Sequence, residues 1–146
     1  MKRVVTILFV SILLAACGAG TPKGTDADVK DLVMEITTDE LRRQITPIIY
    51  QKVTNVPVGL IGIKVTYESL VENKGKDKNA LVISEIDKAM EGFDISLKNI
   101  RVDSVDDDIQ KSESSADIVI NGKSSPITYT AQLNSDGDLY VEVFGL

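Results

Sequence analysis

The side chains that could carry chemistry in this chain are a lone cysteine and two acidic runs. The 146 residues contain no histidine, which removes the commonest general base and most zinc sites. Cys17 is the only cysteine, so no disulfide can form within the chain. Residues 106–108 and 134–138 carry oxygens that could bind a hard cation, but the second run lacks the distant bidentate glutamate of an EF-hand loop. We expect no metal site and no cofactor.

Cys17 stands at the end of an N-terminal leader. Lys2 and Arg3 precede an apolar run, residues 4–16, that only two hydroxyl side chains interrupt. The apolar core of a signal peptide is about 7 to 15 residues long, whereas a membrane-spanning helix needs roughly 20. The length of the run therefore predicts a secretory signal peptide over residues 1–16.

The end of this leader, Leu14-Ala15-Ala16-Cys17, resembles the lipobox of bacterial lipoproteins. The resemblance implies signal cleavage between Ala16 and Cys17, lipidation of the Cys17 thiol and acylation of its new amino group. The alternatives are an uncleaved anchor or a buried cysteine, and neither explains why the only cysteine follows the small residues directly. In Gram-negative members, an aspartate after the cysteine is associated with inner-membrane retention. Gly18 occupies that position, which implies the outer membrane, facing the periplasm.

The charge of the mature chain limits its partners. Loss of Lys2 and Arg3 with the leader takes the 16 basic residues to 14 against 22 acidic ones, a net charge of about −8. Because such a surface repels phosphate backbones, we expect no nucleic acid partner. The expected partners are the membrane, through the lipid anchor, and a protein of the cell envelope. Whether the chain also binds a small molecule is open.

These observations lead to a lipid-anchored, non-catalytic protein-binding module of the bacterial envelope. Motifs for phosphate loops and for Gly-x-Ser-x-Gly hydrolases do not occur. Two alternatives stay open. The first is an envelope hydrolase with paired carboxylates, which need no histidine, and the second is a carrier of a small apolar ligand in a cavity between helix and sheet.

The elements after the leader begin with a linker. Residues 17–26 are rich in Gly and Thr and have no apolar periodicity, which predicts a flexible linker with a reach of about 15 to 18 Å after the lipidated cysteine. Residues 27–146 then form, on this interpretation, a single α+β domain with one core. Its length suits one domain of ordinary size.

The first half of this domain is predicted to be helical. Val29, Leu32, Val33 and Ile36 have the spacing of an amphipathic helix. A capping-box pattern at Thr37 and Glu40 predicts a second helix or a bent continuation of the first, and Pro47 predicts a kink or a fresh start. The Arg42-Arg43 pair is a solvated face or a docking site. Beyond it, the sequence predicts a strand or apolar loop at 56–67, a charged loop at 72–79 and a helix that ends at Gly92.

From Asp94 onward the apolar period changes to two, which predicts an antiparallel meander. Asn121-Gly122 favours a type I′ hairpin turn. The predicted strands cover residues 95–102 with a bulge near Lys98-Asn99, residues 116–120, 127–133 and 139–144, the last of them within the sheet. The order predicts an α+β fold with N-terminal helices packed on one face of an antiparallel β-meander. It resembles cystatin-like or NTF2-like domains, which implies a cavity between helix and sheet.

Overall fold

The computed structural model describes residues 20–57, 65–76 and 78–146. The lipobox, with Ala16 and Cys17, lies outside these residues. The chain divides into two compact units, which we call the sheet unit (the described residues up to Thr37, with Asp94–Leu146) and the helical unit (Thr38–Phe93). Where the sequence predicted one core, the buried apolar residues in the described part of the chain form two clusters, one in each unit.

The longest element is a continuous helix. The helices within the described residues are α1 (Ala27–Thr54), α2 (Tyr67–Glu72) and α3 (Asn79–Glu91). Thr37 does not cap a new helix, because its hydroxyl donates to the Val33 carbonyl at 2.7 Å, one turn back within α1. Of the two alternatives at Thr37, the continuation of the first helix is confirmed and the start of a second helix is wrong. The helix also runs through Pro47 without a fresh start.

The helical unit contains one helix that the sequence did not reveal. α2 begins after Thr66, whose side chain accepts from the Ser69 amide while Ser69 Oγ accepts from the Thr66 amide, both at 3.2 Å. This reciprocal cap stabilises the start of a helix. Of the strand or loop predicted at 56–67, residues 58–64 lie outside the described part. The core of the unit is formed by Leu70 of α2 and by Val82, Ile83 and Ile86 of α3.

Within the described residues, the sheet has four antiparallel strands in the order β1-β2-β3-β4, which confirms the predicted α+β meander. The strands are β1 (Ile95–Asp106), β2 (Lys111–Ile120), β3 (Lys123–Leu133) and β4 (Leu139–Phe144). The prediction that β4 lies within the sheet is wrong. Each strand is laid beside the previous one, so the last strand forms an edge.

The sequence predicted some of the local irregularities of the sheet and missed one. Asn121 and Gly122 have φ values of 49° and 79°, the positive pair that a type I′ turn requires. The predicted bulge is present as a register shift between Lys98 and Arg101. A second shift, between Val102 and Ser104, was not predicted.

The N-terminal part of α1 covers one face of this sheet. Its four buried aliphatic side chains each contribute roughly 1.5 to 3 kcal/mol by removal from water. The cluster consists of Val29, Leu32, Val33 and Ile36 from the helix and Ala116, Ile118, Ile127, Tyr129, Ala131, Leu139 and Val141 from the sheet. The resemblance to cystatin-like or NTF2-like domains stays a prediction.

Strand β2 is longer than predicted, because its first half buries serines in place of apolar residues. The sequence indicated residues 116–120, but the strand begins at Lys111. Ser112 and Ser114 occupy the same face as the buried Ala116 and Ile118, so polar residues stand where the apolar alternation would continue. Both serines are buried, which requires another part of the chain to cover them.

Candidate functional site

The segment that covers these serines is the one predicted to be a flexible linker. Residues 21–26, which we call the strap, lie against the sheet before α1 begins. Three hydrogen bonds attach it: Thr21 Oγ1 donates to Asp107 Oδ1 at 2.5 Å, Ser112 Oγ donates to the Pro22 carbonyl at 2.5 Å, and the Tyr129 hydroxyl donates to the Gly24 carbonyl at 3.0 Å. The freedom expected of residues 17–26 therefore does not extend to the strap.

Gly24 allows the strap to approach the sheet closely. An ideal Cβ placed on this residue would lie 2.6 Å from Ser114 Cβ and 2.8 Å from the Tyr129 hydroxyl oxygen. Real Cβ atoms do not approach other heavy atoms so closely, so any larger residue would push the strap outward. Gly20, just before the strap, is different, because a Cβ there would meet nothing within 4 Å.

Tyr129 is the central side chain beneath the strap. It is 1% exposed and belongs to the apolar cluster, while its hydroxyl holds the Gly24 carbonyl. Burial is the main cause that raises the pKa of this phenol above its ordinary value of 10.0, and the negative charge of Asp103 adds to the rise. The adjacent Ser114 hydroxyl works in the opposite direction. At neutral pH the phenol is therefore a protonated donor.

The C-terminal end of the strap turns directly into α1. Asp26 Oδ2 accepts from the Lys23 amide at 2.8 Å, and the Asp26 amide donates to the Lys23 carbonyl at 2.9 Å. The Asp26 carbonyl then accepts the Lys30 amide at 3.0 Å, which is a bond of the first helical turn. A short closed turn thus joins the strap to the helix.

The two acidic runs named as possible cation sites lie at the same end of the sheet, in the β1–β2 and β3–β4 turns. The Leu133 amide, at the end of β3, donates to the Gln110 carbonyl in the β1–β2 turn at 3.1 Å. Asp106 Oδ1 accepts from the Asp108 amide at 3.1 Å, and Asn134 Oδ1 accepts from the Asp138 amide at 2.8 Å. These side chains close their own turns. No group of three or more metal-ligating side chains is assembled within the described residues.

A groove of about 900 Å³ opens on the sheet unit. Arg101, Ser115, Asp117 and Thr128 line it, and they alternate along their strands with residues that face α1. Asn99 Nδ2 donates to Asp117 Oδ2 at 2.6 Å. Asp117 is the single carboxylate among the groove residues that the structure describes. The groove thus offers one guanidinium and one carboxylate, and not the carboxylate pair that glycosidic hydrolysis uses.

The Arg42-Arg43 pair in the helical unit is engaged within its own helix. Arg42 NH1 donates to Asp39 Oδ1 at 2.7 Å, and Arg43 pairs with Glu40. The Arg42 guanidinium also lies 5.1 Å from the centre of the Tyr67 ring, within cation–π range. The alternative of a docking site for an anionic partner gains no support from side chains that are already paired.

The residues that build the strap site escaped the sequence reasoning. Thr21, Pro22 and Gly24 lie in a Gly- and Thr-rich stretch that predicts a linker, and Tyr129 lies within the predicted strand 127–133. The available signal was Ser112 and Ser114 on the core-facing positions of β2, which indicates a polar covering segment.

Comparison with protein families, curated proteins and solved structures found no match. None of the helices within residues 20–57, 65–76 and 78–146 is both long and apolar enough to cross a membrane.

Proposed function

We propose that this chain is a bacterial lipoprotein of the cell envelope that is anchored through Cys17 and binds a protein partner without catalysis. The observation that carries the proposal is the position of the only cysteine, directly after Leu14-Ala15-Ala16 at the end of a leader of signal-peptide length. Gly18, in place of an aspartate, favours the outer membrane with the domain facing the periplasm.

The residues that follow Cys17 in the sequence support this proposal. The strap begins only four positions after Cys17 and is bound to the sheet by three hydrogen bonds. An anchor at Cys17 would therefore be linked to a folded body through a defined attachment. Two acyl chains or more hold a protein firmly at a membrane, whereas one gives marginal binding.

The helical unit supports the binding role. Ile48, in the second half of α1, is 67% exposed and lines an open groove of about 560 Å³ with Gln51, Lys52, Asn55 and Pro57. Val71 and Leu81 are also exposed in this unit. A contiguous apolar patch with a polar rim is typical of a protein contact surface, and Ile48 with its polar neighbours is the position at which we test for one.

The structure gives less support to the two alternative functions, the hydrolase and the carrier. In the 900 Å³ groove, Asp117 has no second acid beside it among the described lining residues. A groove of about 570 Å³ at the β1–β2 turn is lined by Asp106, Asp107, Asp108 and Glu113. There, Asp106 accepts from amides of its own turn and Asp107 accepts from the Thr21 hydroxyl. A carrier would need space between α1 and the sheet. That seam is occupied by packed aliphatic side chains and Tyr129.

The anchor is tested by labelling with palmitate in a bacterial host. We expect the native chain to incorporate the label and to lose its leader, and Cys17→Ser to remain an unlabelled precursor. Gly20→Ala, outside the lipobox, is the matched control and should behave as the native chain. A Cys17→Ser protein that still incorporates palmitate and matures would overturn the anchor assignment. Gly18→Asp should move the lipidated protein to the inner membrane.

The binding role is tested by crosslinking the full lipidated protein in membranes. We expect a defined crosslinked partner that is lost in Ile48→Glu and kept in Ser84→Glu, which adds the same charge at another exposed position of the helical unit. Equal crosslinking in both variants would exclude the Ile48 groove as the contact surface.

A further inference from the structure

We infer that the strap holds the protein close to the lipid surface, with the β1–β2 turn end of the sheet unit facing the headgroups. The inference rests on the proposed anchor at Cys17 and specifies how the body is held by it. It assigns a membrane-facing end to a domain whose own helices supply no membrane span within the described residues.

The tether between Cys17 and the sheet is short. Four peptide steps separate Cys17 from Thr21, the first residue that the sheet holds. An extended chain spans at most about 3.3 to 3.6 Å per residue, so these four steps reach about 13 to 14 Å. With the strap released, the tether would extend to the start of α1 at Ala27, ten steps and about 33 to 36 Å. The strap therefore removes more than half of the available reach.

The strap has a defined direction along the sheet. Thr21 is bonded to Asp107 in the β1–β2 turn, Pro22 to Ser112 near the start of β2, and Gly24 to Tyr129 of β3. Because Tyr129 is the register partner of Ser114, the strap runs from the turn inward along β2. The chain from the anchor therefore arrives at the β1–β2 turn.

The other end of the sheet lies far from the attachment. Strand β2 rises about 3.4 Å per residue, so the nine steps from Ser112 to Asn121 place the Asn121-Gly122 turn about 30 Å from the attachment. The β3–β4 turn lies at the anchored end, beside the β1–β2 turn. Since the tether enters at this end, we place these two turns nearest to the lipid surface.

The inference is tested with the full lipidated chain in phosphatidylcholine vesicles that contain an acceptor dye on their headgroups. A donor dye is attached to a single introduced cysteine, since the Cys17 thiol carries lipid. Ile109→Cys reports the anchored end, and Lys123→Cys reports the opposite end; both side chains are exposed. We expect energy transfer from position 109 to exceed that from position 123 by roughly twofold or more, because the donor distances differ by about the length of β2.

Two changes to the tether complete the test, each made in the Ile109→Cys chain. Gly24→Ala forces a Cβ into Ser114 and Tyr129 and should lower the transfer, whereas Gly20→Ala, in open space, should leave it unchanged. A six-residue Gly-Ser insertion after Gly20 lengthens the tether without touching the strap and should also lower the transfer, which keeps the test valid if Gly24→Ala does not fold.

The outcomes separate the inference from the proposed function. Mass spectrometry of the reconstituted protein first establishes whether Cys17 carries lipid, and a mature chain without lipid would overturn both. If the protein is lipidated but transfer from positions 109 and 123 is equal, or the insertion does not change the transfer, then only the inference about the strap and the orientation is overturned.

Discussion

Replacement of Tyr129 by Phe tests the attachment of the strap most directly. The substitution keeps the ring in the apolar cluster and removes one oxygen, so the donation to the Gly24 carbonyl at 3.0 Å is lost. Since Gly24 is buried, its carbonyl loses this donor without free access to water. An acceptor left unsatisfied in the interior costs about 1 to 3 kcal/mol. We expect the free energy of unfolding to fall within this range.

The control for this variant is Tyr67→Phe. The Tyr67 hydroxyl also donates a short bond, to Asp87 Oδ1 at 2.7 Å, but this bond is exposed. Water can replace the lost donor there, so a change of about 0.5 kcal/mol or less is expected. Urea unfolding followed by circular dichroism measures both variants, because the chain has no tryptophan for fluorescence.

A double mutant shows whether the strap acts as one unit. Ser112→Ala removes the bond to the Pro22 carbonyl, two residues from Gly24. If either loss frees the strap, the second loss costs less, and the two changes should be non-additive by about 0.5 kcal/mol or more. A Tyr129→Phe protein as stable as the Tyr67→Phe control, together with strict additivity, would refute the docked strap.

The remaining predictions concern the helical unit and alkaline pH. Ile86→Ala should destabilise the protein by about 2 to 5 kcal/mol, because Ile86 is fully buried, whereas Leu81→Ala on the same helix, 53% exposed, should change stability by less than about 1 kcal/mol in the same urea assay. The pKa values of Tyr67, Tyr129 and Tyr140 are raised in the folded protein, chiefly by burial. The folded state therefore favours protonated phenols, so stability should be full below pH 10 and fall as the pH rises above it. Tyr129→Phe should fall less steeply, and an identical slope would contradict the assigned burial.

The sequence predicted the regular part of the sheet unit well, because there the apolar period and the turn residues agree. Ile127, Tyr129 and Ala131 alternate with polar residues and are buried, and Asn121-Gly122 forms the expected turn. The apolar period does not predict a strand whose buried side chains are polar. The first half of β2 was missed since its buried residues, Ser112 among them, are covered by a polar strap.

The helical unit was predicted less completely, for a related reason. Helix α2 has only six residues and one buried side chain, Leu70, so it has no apolar period to detect. Its start depends on the reciprocal bonds of Thr66 and Ser69, a variant of the capping box in which serine takes the usual place of Glu or Gln. Long-range contacts leave little trace in local periodicity, and for the strap that trace is limited to Ser112 and Ser114 at core-facing positions of β2.

The strap also has a consequence for the order of folding. Its bonds to Asp107, Ser112 and Tyr129 join residues 86, 90 and 105 positions apart, whereas the Asn121-Gly122 hairpin closes over neighbouring residues. Closing a long loop costs more chain entropy than closing a short one, and contacts of high sequence separation form slowly. We therefore expect the strap to dock on the sheet only after the Asn121-Gly122 hairpin has formed, as a late step of folding.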